Sequence, residues 1–172
     1  MKTALLAFLI CIFSAGVFAQ RKGLPPFEDY PVKQEFHGKP ARINVRSCYL
    51  ARTFRTMLKE AVELGPNFAG HYGINYWGCG TECIQIGIVD LKTGNVYMPS
   101  FSAQVGVETR ANSRLLVVNP PARLKEEFRN EPLPEFYFQT RYYLWNRGKL
   151  VLIYPMELKG KINDILKSCE LR

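Results

Sequence analysis

Hydrophobic residues recur at two different periods along this chain, and the changes of period mark its elements. From about Ser47 to Leu64 the apolar positions Leu50, Phe54, Met57, Leu58, Ala61 and Val62 fall three and four apart. That spacing places them on one stripe of an amphipathic helix. Gly65-Pro66 then reads as a stop, because glycine adopts the left-handed cap and proline cannot continue the winding. Past the stop the period drops to two. Tyr72, Ile74 and Tyr76 alternate with His71, Gly73, Asn75 and Trp77, and Ile84, Ile86 and Ile88 alternate with Gln85, Gly87 and Val89. Two strands are predicted, connected through Gly78-Cys79-Gly80-Thr81-Glu82-Cys83. The polar run from Asp90 to Asn95 predicts a turn, with Val96-Tyr97-Met98 as the returning strand.

The remainder reads mostly as β-structure. Strands are expected at Val105–Thr109 and at the fully apolar run Leu115–Val118, which Asn119-Pro120-Pro121 ends. One helical turn is expected at Arg123–Phe128. Phe136 to Trp145 alternates, with Tyr137, Arg141, Tyr143 and Trp145 on one face, and Asn146-Arg147-Gly148 turns the chain into Lys149–Tyr154. A short C-terminal helix is expected to align Ile162, Ile165, Leu166 and Cys169. The segment 20–45, with Pro25-Pro26, Pro31 and Pro40, reads as an extended lead-in that packs Phe27, Tyr30 and Phe36 onto the body. The expected fold class is α+β: an antiparallel sheet of several hairpins packed against one main N-terminal helix. Hairpin-length connections forbid parallel pairing of neighbouring strands. At 172 residues the chain is most simply one domain, spanning 46–172 behind its lead-in.

The first residues add a compartment. Lys2 precedes an apolar run from Ala4 to Phe18, and Val17-Phe18-Ala19 has the small-x-small character of a cleavage site. Residues 1–19 therefore read as a signal peptide, with a mature chain starting at Gln20 and an exported, periplasmic or extracellular, destination. The run is short for a membrane span of about 20 residues, which disfavours an uncleaved anchor. Cys11 lies inside the apolar run behind the bulky Ile10, a poor position for lipid attachment.

Export governs how the cysteines are read. Cys48, Cys79, Cys83 and Cys169 are even in number in an oxidising compartment, so disulfides are expected. Of the three possible pairings, Cys79–Cys83 with Cys48–Cys169 is favoured. The first pair is close in sequence. The second would close most of the mature chain, which the chain-entropy model values at about 4–5 kcal/mol. Cys48 also falls off the apolar stripe, as a cross-linking thiol can and a core thiol would not.

Charge changes the picture less. The full chain carries +8, and loss of Lys2 with the signal leaves +7. A basic exported protein suits acidic partners such as an acidic envelope polymer, although scattered charge also serves solubility alone. Arg52, Arg55 and Lys59 lie together on one helix face, either as a solvated face or as a polyanion contact.

Three chemistries compete at Cys79. The first is a structural disulfide in a glycine-flanked loop. The second is zinc, for which His37, His71 and the cysteines are on offer; no second ligand pair stands near Cys-x3-Cys, so no metal is expected. The third is a thiol hydrolase or transferase, with Cys79 as nucleophile, His71 as base and Asn67 or Asn75 as orienter. Gly-Cys-Gly-Thr is neither the nucleophile elbow nor the papain-type signature, nor is Cys-x3-Cys the thioredoxin spacing. No cofactor is called for. Gly73 and Gly87 are expected on one sheet face, where bare backbone admits either the helix and Trp77 or a ligand. His71, Asn75 and Trp77 share that face and form one candidate binding surface. Tyr143 and Trp145 form another, as a stacking platform, unless they are ordinary cross-strand aromatics.

The stretch FRTMLKEAVELGPNFAGHYGINYWGCGTECIQIGIVDLKTGNVY, from Phe54 to Tyr97, carries a resemblance. Its Gly-Pro-Asn-Phe-Ala-Gly-His-Tyr, Trp-Gly-Cys-Gly-x-x-Cys and Ile-Val-Asp-x-x-Thr-Gly segments resemble a family of small exported bacterial proteins to which no activity is attached. Ser113–Asn119 and Tyr143-Leu144-Trp145 fit the same pattern. The resemblance implies export and a bacterial source, and brings no cofactor or catalytic residue. Two functions remain in view: a disulfide-stabilised binding or inhibitor-type module for an acidic polymer or another exported protein, and the thiol enzyme.

Overall fold

A computed structural model of the protein describes residues 23–32, 36–129 and 139–155. The expected signal peptide, the strand residues Phe136 to Phe138 and the C-terminal helix lie outside them. The described chain is α+β, with two antiparallel sheets. Strands β1 (Tyr72–Gly80), β2 (Cys83–Asp90) and β3 (Val96–Tyr97) form a three-stranded sheet in that order. Strands β4 (Val107–Thr109), β5 (Leu115–Val118), β6 (Arg141–Asn146) and β7 (Lys149–Tyr154) form a four-stranded one. Helices α1 (Arg55–Glu63) and α2 (Pro121–Glu127) complete the elements.

The alternation read from the sequence sets which face of the first sheet meets what. Register pairs Ile74 with Ile88 and Tyr76 with Ile86, and on the other face Gly73 with Val89 and Asn75 with Gly87. Ile74, Ile86 and Ile88 are buried in a core with Val107, Leu116, Val118, Tyr143, Trp145, Leu150 and Leu152 of the second sheet. A second core lies on the other face, where Leu58 and Ala61 of α1 pack with Val89, Val96, Met98, Cys48 and Ala51. Full burial of an aliphatic side chain such as Leu58 or Ile88 contributes about 1.5–3 kcal/mol.

The second sheet is covered on its outer face as well. Phe27 and Tyr30 of the lead-in pack on Leu115, Val117, Tyr142 and Ile153. Ser113 fastens this cover: its hydroxyl lies 2.9 Å from the Phe27 carbonyl and 3.1 Å from that of Tyr30, and Arg114 N donates to Tyr30 O at 2.9 Å. With both faces buried, β5 reads as four consecutive apolar residues rather than an alternation.

Several expectations need correcting. The single sheet is two sheets face to face. The main helix is shorter than its periodicity, because residues 47–54 form turns and α1 starts only at Arg55. Ser47, the natural cap for a helix beginning there, has its hydroxyl committed elsewhere. It donates to Asn44 O at 2.7 Å and accepts from Val96 N at 2.8 Å, tying the segment to β3. At the far end Gly65 takes the expected left-handed conformation, with φ of 72°. Helix α2 starts two residues before the turn expected at Arg123, since Pro121 at its first position needs no N–H partner.

Candidate functional site

Strand β1 carries most of the residues singled out from sequence, and the structure distributes them among three environments. The hairpin tip is the first. The ladder runs on to a Gly80–Cys83 pair, leaving Thr81 and Glu82 as the turn. Between Gly78 and Gly80 the register shifts, so Cys79 is an extra residue with no cross-strand partner. Such a bulge re-aims a side chain, and here Cys79 is disulfide-bonded to Cys83 across a Cα–Cα distance of 5.1 Å. Residues 78–82 are exposed.

The second environment is the face of Gly73, Asn75 and Trp77, which is closed by α1. A Cβ on Gly73 would strike the Ala61 carbonyl, and one on Gly87 would lie 2.8 Å from both Leu58 and Trp77. The expected helix and Trp77 packing accounts for both glycines. Asn75 Nδ2 donates to Met57 O and Glu60 Oε2, each at 3.0 Å, and Trp77 packs on Phe54 with ring centroids 5.2 Å apart. Asn75 and Trp77 therefore dock the helix and do not form an open binding surface with His71. Asn67 clamps Ile74 through both its N–H and its carbonyl and orients no base.

His71 stands at the opposite end of β1, in the third environment. Its ring packs against Tyr72 at 4.1 Å, and Nε2 lies 3.7 Å from Asp90 Oδ1. Burial pulls its pKa down, opposed by the Asp90 carboxylate and assisted by Lys92. Asp90 is itself nearly buried and accepts from Lys92 N at 2.9 Å, which shapes the β2–β3 turn. Behind them Tyr72, Tyr97 and Trp145 meet edge to face, at centroid distances of 5.0 to 6.3 Å. Burial raises the pKa of both phenols, and the charge on Asp90 adds to the rise. The cluster joins His71 to Trp145, a link that sequence spacing does not reveal. It is packed: Trp145 is 4% exposed and its Nε1 has no hydrogen-bond partner among the described residues.

Two expectations fail on this geometry. Eight residues of strand at about 3.3 Å each separate His71 from Cys79 by roughly 26 Å, so the two do not form a catalytic pair. Tyr143 and Trp145 are core residues rather than a stacking platform, because the first sheet covers the face they share; Tyr143 is fully buried and stacks on Phe101 at 4.5 Å. Tyr137 lies outside the described residues. Among the described residues no group of three or more His, Cys, Asp or Glu could hold a metal ion. Cys48 is buried and disulfide-bonded; Cys169, the partner expected for it, lies outside the described residues.

Side chains without an internal partner among the described residues lie on α1 and on the turns that precede it. Arg52, Arg55 and Lys59 are all exposed, and Tyr49, one turn earlier, is 70% exposed. The sequence pattern singles out the three cations but not Tyr49, although Tyr49 too lies off the apolar stripe. No known family, curated protein or solved structure matches the chain.

Proposed function

We propose that this is an exported, disulfide-stabilised binding module and not a thiol enzyme. The observation that carries this reading is the Cys79–Cys83 bond. It occupies the sulfur that a nucleophilic mechanism needs and braces an exposed hairpin tip. The other residues considered for chemistry are engaged in the scaffold: Asn75 and Trp77 against α1, Tyr143 and Trp145 in the core. The signal-like sequence of residues 1–19 and the resemblance to small exported bacterial proteins support an oxidising destination, where such a bond persists. The partner is an acidic envelope polymer or another exported protein, which the module could also inhibit, and Cys48–Cys169 is the second staple.

Alkylation of the native protein, followed by peptide mapping without reductant, tests the reading. A Cys79–Cys83 peptide refractory to alkylation, in a chain whose mass starts at Gln20, is the expected result. An alkylated Cys79 in native exported protein would overturn the disulfide-stabilised reading.

A further inference from the structure

We infer that the outer row Arg46, Tyr49, Arg52, Arg55 and Lys59 binds an acidic glycan, a chain of sugar rings bearing carboxylate, sulfate or phosphate groups. The inference rests on the binding-module reading and specifies its partner. The row is built by local winding. Backbone bonds Ser47 N to Asn44 O, Ala51 N to Cys48 O, Phe54 N to Leu50 O and Leu58 N to Phe54 O carry successive turns into α1. Along these turns and into α1 the five residues recur at spacings of three, three, three and four, and within α1 Arg55 and Lys59 are neighbours on one face. All five are exposed, while Cys48, Ala51, Leu58 and Ala61 face inward and are fully buried.

Its charge is uncompensated. Residues 36–59 contain Lys39, Arg42, Arg46, Arg52, Arg55 and Lys59 and no acid. None of these six side chains makes an ion pair or hydrogen bond among the described residues. The first acid, Glu60, is drawn toward the sheet by Asn75. Like charges one turn apart repel, so the scaffold carries a repulsion that a polyanion would relieve. Arginine forks suit carboxylate, sulfate and phosphate oxygens equally.

The support is rigid. Ser47 is tied to Asn44 and β3, and Cys48 is buried and cross-linked. Little side-chain support need be ordered on binding, which favours affinity. Tyr49 distinguishes the ligand. It presents a flat amphipathic ring between Arg46 and Arg52 in the chain, suited to the face of a sugar. Single-stranded nucleic acid is held on several successive aromatic rings, and this row has one.

The test is binding of the full-length mature protein to labelled heparin fragments, inorganic polyphosphate and oligothymidylate, at low and at physiological salt. Arg52→Glu/Arg55→Glu is compared with Lys125→Glu/Lys149→Glu, which changes net charge equally on exposed positions of α2 and β7. Arg52→Gln/Arg55→Gln removes the charge without reversing it. The row variant should lose about tenfold or more in heparin affinity and flatten the salt dependence, with the glutamine variant losing less in the same direction. The control on α2 and β7 should change by about twofold. Tyr49→Ala should weaken heparin and leave polyphosphate, which has no ring, unchanged. Equal losses in the two charge-reversed variants, equal effects of Tyr49→Ala on both polymers, tighter binding of oligothymidylate than of heparin, or no binding of any polymer would each overturn the inference. Alkylation of Cys79 and Cys83 does not depend on these outcomes, so the glycan can fail while the binding module stands.

Discussion

A methyl group on Gly73 would run into the carbonyl oxygen of Ala61. The contact is between β1 and the backbone of α1, so neither side can yield by turning a side chain. Gly73→Ala is expected to destabilise the protein by about 2–3 kcal/mol through overpacking, or roughly 5–10 °C in Tm for a domain of this size. At Gly87 the obstacles are Cδ2 of Leu58 and the Trp77 ring, which can shift, so Gly87→Ala should cost about 1 kcal/mol. Denaturant unfolding of both variants checks the order. Equal midpoints would mean that α1 is not seated where these contacts put it.

The Cys79–Cys83 bond spans a sequence separation of 4. A loop so short removes little unfolded-chain entropy, about 2 kcal/mol by the chain-entropy model. Cys79→Ser/Cys83→Ser should therefore remain folded, with faster amide exchange confined to residues 78–83. Cys48→Ser removes a buried sulfur together with a second cross-link and should cost more, within the range of about 2–5 kcal/mol for native disulfides. A double serine variant that unfolds altogether would show that the tip supports the core, contrary to its exposure.

The sequence made the hairpin β1–β2, the β2–β3 turn, the glycine face and the left-handed cap at Gly65 legible, because each rests on neighbours in the chain. Longer-range features were not. Ser47 looks like a helix cap, but its hydroxyl is claimed by Val96, 49 residues away. Asn119 looks like the start of an exposed Asn-Pro-Pro break, yet it is fully buried and its Oδ1 receives Gln104 N at 2.8 Å. Tyr143 and Trp145 alternate correctly, but alternation cannot say whether the far side of a sheet meets water or a second sheet. The cysteine bond was legible from its close spacing, read with the export that residues 1–19 lead one to expect. The distance between Cys79 and His71, which immediately precedes β1, follows from strand geometry.

Histidine 71 gives the protein an acid sensitivity of predictable sign. Burial lowers its pKa below the ordinary value of about 6.5, with the Asp90 carboxylate opposing and Lys92 assisting. The unfolded chain then binds its proton first as pH falls. The stabilising contribution is complete above the ordinary value and is lost as pH drops toward and through the folded one. Unfolding free energy should therefore fall on acidification below about pH 6.5, and His71→Asn should flatten that part of the profile. An NMR titration of the His71 ring checks the premise directly. A midpoint at or above the ordinary histidine value would remove it.

Ser113 fastens the lead-in to the second sheet, and its loss should be felt at both ends of its hydrogen bonds. The residue is buried; its hydroxyl donates toward Phe27 O and accepts from Leu115 N at 3.2 Å. Ser113→Ala leaves that amide and that carbonyl without their side-chain partner. An unsatisfied buried group costs about 1–3 kcal/mol, so global stability should drop by an amount in that range. The local effect should be larger, because residues 23–32 are otherwise held through Phe27, Tyr30, the backbone bonds from Arg114 N to Tyr30 O and from Val32 N to Asn112 O, and the exposed Glu28–Arg110 pair at 2.6 Å. Exposed ion pairs contribute about 0–1 kcal/mol, too little to hold the segment alone. Limited proteolysis should therefore cut the variant within 23–32 well before the wild type, while the β1–β2 hairpin stays protected. Identical cleavage of the two proteins would show that the apolar contacts and backbone bonds suffice to hold the segment without the Ser113 hydroxyl.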